Sequence, residues 1–136
     1  MIRVVVDTNV LVSALLQPLG QPARVFMHAL NSSIQMCVSN DVYREYEEVI
    51  RRPRLRRDEE TIVETLRLIR ERGFWVQPTR AVRACSDPDD DIMLECANAG
   101  EARYVVTGNL RDFPITWEGV LVVTCRQLLA VIEKGG

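Results

Sequence analysis

Ile2-Arg3-Val4-Val5-Val6-Asp7-Thr8-Asn9-Val10 is the stretch on which the fold turns. Three β-branched residues in a row do not alternate between a wet and a dry face, so Ile2 to Val6 reads as a strand buried on both sides, the kind found in parallel sheets. The run stops at Asp7-Thr8-Asn9, residue types suited to helix caps. Val10 to Leu16 follows with helical character until Gln17-Pro18-Leu19-Gly20 breaks it. A strand running directly into a helix is the first half of a βαβ unit.

The same alternation continues outward. A helix over Pro22 to Leu30 carries Val25, Phe26, Ala29 and Leu30 on one face, and Ile34 to Val38 is a second strand. Ser39 and Asn40 are cap candidates for a helix that runs to about Arg52 and stops at Pro53. A helix from about Asp58 to Arg72 has Ile62, Leu66 and Ile69 as its apolar stripe and ends at Gly73; Phe74 to Val76 is a short strand. The run Asp87-Pro88-Asp89-Asp90-Asp91 opens a helix to Gly100. Tyr104 to Thr107 and Val120 to Thr124 are strands, and Arg126 to Ile132 is a closing helix. Strands alternating with helices predict an α/β fold, a parallel sheet covered by helices on both faces. The 136 residues suffice for one core and are too few for two.

Scarcities exclude more than totals do. The composition, 47% hydrophobic and 26% charged, is that of an ordinary soluble domain, and a formal net charge of −2 advertises no polyanionic partner. Of the 17 basic residues, Lys134 is the single lysine and the rest are arginines, which argues against phosphate loops and Schiff-base chemistry. With one histidine, His28, zinc sites built on paired histidines are out, and His28 lies off the apolar stripe of its helix, where a structural role outweighs a catalytic one. Cys37, Cys85, Cys96 and Cys125 form no CxxC pair and read as small buried thiols of a reducing compartment rather than disulfides or metal ligands. Asp7 interrupts the amino-terminal apolar stretch and no apolar run reaches a membrane span, so a cytoplasmic protein without a membrane partner is expected.

In open parallel sheets the functional crevice lies beyond the carboxyl ends of the strands. The residues there are Asp7-Thr8-Asn9, then Ser39 with Glu45 in the following helix, then Asp87 to Asp91, then Thr107-Gly108-Asn109 and Asp112. Val42, Tyr46, Val49 and Ile50 define the buried stripe of the Glu45 helix, and Glu45 lies on its flank while Glu47 and Glu48 point away. Either Glu45 is aimed along the sheet edge or it pairs with a surface arginine one turn away. Asp87 to Asp90 suit the cap and first turn of their helix, which leaves Asp91 as the acid turned toward the strand ends and Glu95, one turn on, as a supporting or structural residue. Thr8 and Asn9 can cap their own helix, which frees the Asp7 carboxylate. Gathering Asp7, Glu45 and Asp91 raises at least one pKa unless a cation compensates, and oxygen ligands alone select a hard ion, Mg2+ or Mn2+.

With these residues in place, the chain resembles the PIN domain, and in particular the VapC-like toxins of toxin–antitoxin systems. Val6-Asp7-Thr8-Asn9-Val10 is similar to the family's first motif, Ser39 with Glu45 and Val49-Ile50 to the second, Asp87 to Asp91 before Ile92-Met93-Leu94-Glu95-Cys96-Ala97 to the third, and Val106-Thr107-Gly108-Asn109 to the fourth. The resemblance implies a three-layer α/β/α sandwich of flavodoxin-like architecture with about five parallel strands, over 1–136 as one nuclease domain. It implies Asp7, Glu45 and Asp91 as metal-binding acids, with Thr8, Asn9, Ser39 and Thr107 shaping the pocket. Many members carry aspartate where this chain has Asn109, an amide without charge, and Asp112 is the candidate to replace it. The implied activity is endoribonucleolytic, with acids holding Mg2+ or Mn2+ and a water activated by the ion attacking phosphorus. The implied partners are an RNA substrate, a small antitoxin that blocks the acidic crevice, and a second copy in a homodimer.

An acidic pocket repels phosphate, so RNA has to be attracted elsewhere. Arg51, Arg52, Arg54, Arg56 and Arg57 are the candidate backbone contact; the alternative is a solvated helix junction paired with Asp58, Glu59 and Glu60. Trp75 and Trp117 belong to no RNA-binding motif. Two rival functions keep the same fold: a catalytically silent RNA-binding or regulatory protein, and a structure-specific DNA nuclease.

Overall fold

The computed structural model describes residues 1–56 and 58–134. The opening valines form β1 (Arg3–Val6), and Val4, Val5 and Val6 are fully buried, as a strand with helices over both faces requires. After it come α1 (Thr8–Leu16), α2 (Gln21–Leu30), β2 (Gln35–Val38), α3 (Asn40–Ile50), a 3-10 turn over Pro53–Leu55, α4 (Glu59–Arg72) and β3 (Phe74–Trp75). The second half holds α5 (Pro88–Gly100), β4 (Tyr104–Val106), a 3-10 turn over Leu110–Asp112, β5 (Thr116–Trp117), β6 (Val120–Val123) and α6 (Cys125–Glu133).

The sheet order is β3-β2-β1-β4-β6-β5, with every pairing parallel except β5 against β6. The α/β/α sandwich expected from the alternation is therefore present, with six strands where about five were expected. The extra strand is β5, and its signal is weak in sequence because a two-residue turn, Glu118-Gly119, joins it to β6. Both turn residues have positive φ (47° and 88°), the twist a tight hairpin needs, yet only the glycine is of the type that usually marks such a turn. Several boundaries shift by one residue and two by two: α3 stops at Ile50 rather than Arg52, and α1 begins at Thr8 rather than Val10. No helix among the described residues is long and apolar enough to cross a membrane.

Local chemistry sets the elements. Ser39 Oγ accepts the Val42 N–H (3.2 Å) at the start of α3, Asp87 Oδ1 accepts the Asp89 N–H (2.9 Å) ahead of α5, and Thr124 and Gln127 form a reciprocal cap on α6. At the far end of α5, a Cβ on Gly100 would stand 2.7 Å from Cys37 Sγ, so only glycine lets that helix lie so close to β2. The chain departs from β1 toward β2 on one side and returns through β4 on the other, which makes the β1/β4 junction the switch point where the carboxyl ends open a crevice.

One buried bond joins α3 to that junction. The last Cα partners between β1 and β2 are Val4 and Met36, and beyond them the Val6 carbonyl is taken by the Tyr46 hydroxyl, which donates to it from the fully buried face of α3. Removing the hydroxyl orphans a carbonyl in the core, so Tyr46→Phe is expected to destabilise the fold by about 1–3 kcal/mol in urea unfolding. A change indistinguishable from zero would mean that the carbonyl has another partner.

Candidate functional site

Asp7 sits where β1 hands over to α1. Its N–H continues the ladder to Val106 O (2.9 Å), while its side chain accepts the Thr8 N–H on Oδ1 (2.9 Å) and the Thr107 hydroxyl on Oδ2 (2.7 Å). This corrects the expectation that Thr8 and Asn9 cap α1 and free the carboxylate: both lie inside the helix and Asp7 is itself the cap, because its extended backbone (φ −65°, ψ 148°) precedes the first helical residue. Asn9 Oδ1 instead accepts the Gly108 N–H (3.1 Å), and Thr107 Oγ1 accepts the Asn109 N–H (3.0 Å). The β1 and β4 ends are thus laced together through Asp7, Thr107, Asn109 and Asn9. Burial pushes the Asp7 carboxyl up, the Thr107 and Thr8 bonds pull it down, and the Asp112 charge pushes it up again. Thr8 Oγ1 is buried beside it without a hydrogen-bond partner.

Glu45 is half-buried on α3 and makes no ion pair, so its surface-pair alternative is not realised among the described residues. Burial raises its carboxyl first, and then the charges of Asp89 and Glu48; Arg52 lowers it and Asp7 raises it. Ser39 is buried and acts as the α3 cap.

The aspartate run divides its roles in a way the sequence did not show. Asp91 is buried, yet its Oδ1 accepts the N–H groups of Ala84 (2.9 Å) and Cys85 (2.8 Å), and burial and then the nearby Asp91 carboxylate push the Cys85 thiol up to about 12. Glu95, one turn on, accepts the Val82 N–H (3.0 Å). These two acids lace the 82–85 loop to α5. Asp90 is the member of the run that feels the crevice. Burial pushes it up to about 7, followed in order by the charges of Asp7, Asp87, Asp112 and Asp89. Reasoning from sequence missed it because Asp90 also suits the first helical turn. The available signal was the loop before α5, whose backbone donors have no strand to satisfy them and so call for carboxylates on the adjoining helix face.

Asn109 and Asp112 are exposed on the rim, the latter at the end of the 3-10 turn, close enough for its charge to reach Asp7 and Asp90. Two members of the arginine cluster are paired: Arg51 holds Glu59 (2.9 and 3.0 Å) and lies 3.7 Å from Glu47, and Arg52 is 3.4 Å from Glu48. Arg56 is exposed, and Arg57 and the side chain of Arg54 lie outside the described residues. His28 stands 3.7 Å from Glu133, on α2 and away from the acids. All four cysteines are free thiols.

A family model of the PIN domain matches residues 3–111, from β1 into the turn after β4. The chain belongs to the PIN domain family. It is 28% identical over 111 residues to the uncharacterized protein MJ1680 of Methanocaldococcus jannaschii, an overlap covering 79% of this chain and 71% of that protein. Among solved structures it is similar to a chain in the crystal structure of VapBC2 from Rickettsia felis bound to a DNA fragment from their promoter, with a TM-score of 0.58 and 12% identity over 90% of this chain and 98% of the other. At that identity the likeness speaks for the fold.

The PIN domain's donor set suits a hard cation. Every polar side chain around the Asp7 carboxylate offers oxygen; after burial, the charge of Asp7 makes both Glu45 and Asp90 harder to ionise and that of Asp112 does so to Asp7 and Asp90, a penalty that a bound cation removes. As the side chains stand, no three acidic, histidine or cysteine groups among the described residues are gathered tightly enough to hold an ion. The metal-free protein should therefore show its strain against pH. Carboxyls whose folded pKa exceeds the unfolded value keep more protons in the folded state, so stability is greatest at low pH and falls as pH rises through the window from about 4 to 7 set by Asp90. Thermal melts in chelator are expected to decline from pH 5 to pH 8, with a shallower decline in Asp90→Asn. An unchanged slope in that variant would place Asp90 outside the repulsive group.

Proposed function

We propose that this PIN domain is a metal-dependent endoribonuclease, the VapC-like toxin of a toxin–antitoxin pair, acting in the cytoplasm as one nuclease domain over residues 1–136. The observation that carries the reading is the convergence of uncompensated carboxylates, Asp7, Glu45 and Asp90 with Asp112 on the rim, at the switch point of a parallel sheet. Asp7 and Glu45 keep the metal-binding roles expected of them. Asp90 takes the role expected of Asp91, because the Asp91 carboxylate already holds two backbone donors from the 84–85 loop and Asp90 holds none among the described residues.

Mg2+ or Mn2+, once bound, supplies charge for the phosphate oxygens and lowers the pKa of water. The chain's own residues supply the frame. Thr107 and the Thr8 N–H fix the Asp7 carboxylate in one orientation, Glu45 approaches from α3, and the loop held by Asp91 and Glu95 walls the crevice from α5. The amide of Asn109 is a neutral group on the rim, suited to a hydrogen bond with substrate. A small antitoxin bringing a basic side chain would neutralise the same acids, and the pairing in the name of the Rickettsia felis VapBC2 neighbour supports a cognate partner. The motif resemblance extends the reading to a homodimer.

The lack of charge at Asn109 favours a second reading, a silent RNA-binding PIN domain, and one experiment separates the two. Purified protein should cleave single-stranded RNA with added Mn2+ and stop in excess chelator, and calorimetry should show saturable Mn2+ binding. Asp7→Asn and Asp90→Asn should lose both signals while remaining folded. Asp91→Ala should instead lower stability by about 1–3 kcal/mol, the penalty for orphaned loop donors. Cleavage that persists in chelator or survives Asp7→Asn would sink the nuclease reading, and RNA binding without metal uptake would establish the silent one.

A further inference from the structure

Beside the acids, along the same carboxyl edge of the sheet, lies a groove of about 730 Å³ that no part of the cleavage chemistry uses. It opens past the ends of β2 and β3, the next strands over from β1, so its floor is about two strand spacings, roughly 10 Å, from the Asp7 end of the sheet. Ser39, Asn40 and Arg44 line it from α3, Trp75 and Gln77 from β3 and its exit, and Arg80 from the loop that follows.

Trp75 is the unusual member. The core does not require it: the indole stands on the edge strand and is 40% exposed. It is nevertheless held in place. Its Nε1–H donates to Arg70 O (3.1 Å), and the Tyr43 ring backs it at 5.5 Å between centroids with the planes 48° apart. A large aromatic surface, anchored at one edge and open to a wet groove, is a stacking platform.

The charges around it complement a phosphodiester better than the acidic centre does. Arg44 is 76% exposed, and its nearest carboxylate, Asp41, is 3.9 Å away, so its guanidinium keeps donors to offer. Arg80 is engaged by both carboxylate oxygens of Glu118 and lies 5.2 Å over the Trp117 ring, which leaves Arg44 as the cation on offer. Of the acids that also line the groove, Glu95 is turned to the Val82 N–H. Asn40 and Gln77 make no side-chain hydrogen bond among the described residues and present donors and acceptors of the kind that read base edges. Arg51 and Arg52, by contrast, are engaged with glutamates.

We infer that this groove seats an unpaired nucleobase of the RNA strand next to the scissile phosphate, stacked on Trp75 with its backbone phosphate on Arg44. The inference rests on the ribonuclease reading and adds to it that the substrate is single-stranded or splayed at that nucleotide, because a base inside a duplex has no free face to stack. A peptide segment is the poorer occupant, since the groove offers polar walls and one flat ring in place of apolar side-chain pockets.

The test uses the full chain with Trp117→Phe, which leaves Trp75 as the sole tryptophan, and with Asp7→Asn to prevent turnover. A short single-stranded oligoribonucleotide should quench Trp75 emission saturably, and duplex RNA should quench it less. Trp75→Ala should weaken oligonucleotide binding by roughly fivefold or more, with Trp75→Phe recovering part of the loss. Arg44→Gln, at a position too exposed to matter for folding, should weaken binding and lower the salt dependence by about one phosphate contact. In the active chain Trp75→Ala should raise KM and spare kcat. If the oligonucleotide binds without quenching and Trp75→Ala leaves affinity and KM unchanged, the inference falls while the ribonuclease reading stands. Failure of every chain, wild type included, to bind or cleave RNA overturns both, and quenching by a protein partner alone or equally by duplex RNA overturns the unpaired-base assignment.

Discussion

A carboxylate that must stay available to a cation lies at the end of a strand whose own valines have dried its surroundings. Asp7 meets this conflict with two donors, the Thr8 N–H and the Thr107 hydroxyl, one from the helix it caps and one from the neighbouring strand end. Those bonds offset part of the desolvation that raises its pKa. They also tie β1 to β4 at the one place where the sheet changes direction, so the crevice and the topology share the same side chain. The other acids depend on this arrangement. Glu45 and Asp90 come from helices that pack over the same strand ends, and each is perturbed by Asp7 as well as by its own burial.

The molecule separates its charges by whether they are answered. Around α4 and the junction before it, arginines and glutamates neutralise each other in exposed pairs: Arg51 with Glu59, Arg67 with Glu64 and Glu71. Exposed pairs of this kind contribute little to stability, and they remove those arginines from service to a partner. At the strand ends the acids have no such partners. The near-zero net charge thus averages pairs such as these with an acidic centre that lacks them, and the distinction appears only when contacts are known.

Legibility followed the range of the physics. Val4-Val5-Val6 announced a central strand because burial on both faces leaves no polar alternation, and Asp58, Asp87 and Gly73 marked helix ends because capping is settled within a few residues. The β5 strand escaped because two residues paired through a Glu-Gly turn carry almost no periodic signal. Which of three adjacent aspartates faces the crevice could not be read either. That outcome depends on the 82–85 loop, whose backbone donors claim Asp91 and Glu95 and leave Asp90 to its repulsive neighbours. Likewise, spacing alone did not show that Arg51 and Arg52 pair with Glu59 and Glu48.

The Tyr46 hydroxyl bond to the Val6 carbonyl has a consequence for motion. It closes β1 from the α3 side just as Thr107 closes it from the β4 side, so the peptide that carries Asp7 is clamped between two layers of the core. Segments held this way open only when the surrounding core opens, and their amide hydrogens exchange on the slowest timescale a protein offers. The rim beyond, where Asp112 is exposed at the end of a short turn, is tied only by local backbone bonds among the described residues. The centre therefore couples a floor as rigid as the fold itself to an edge free to adjust.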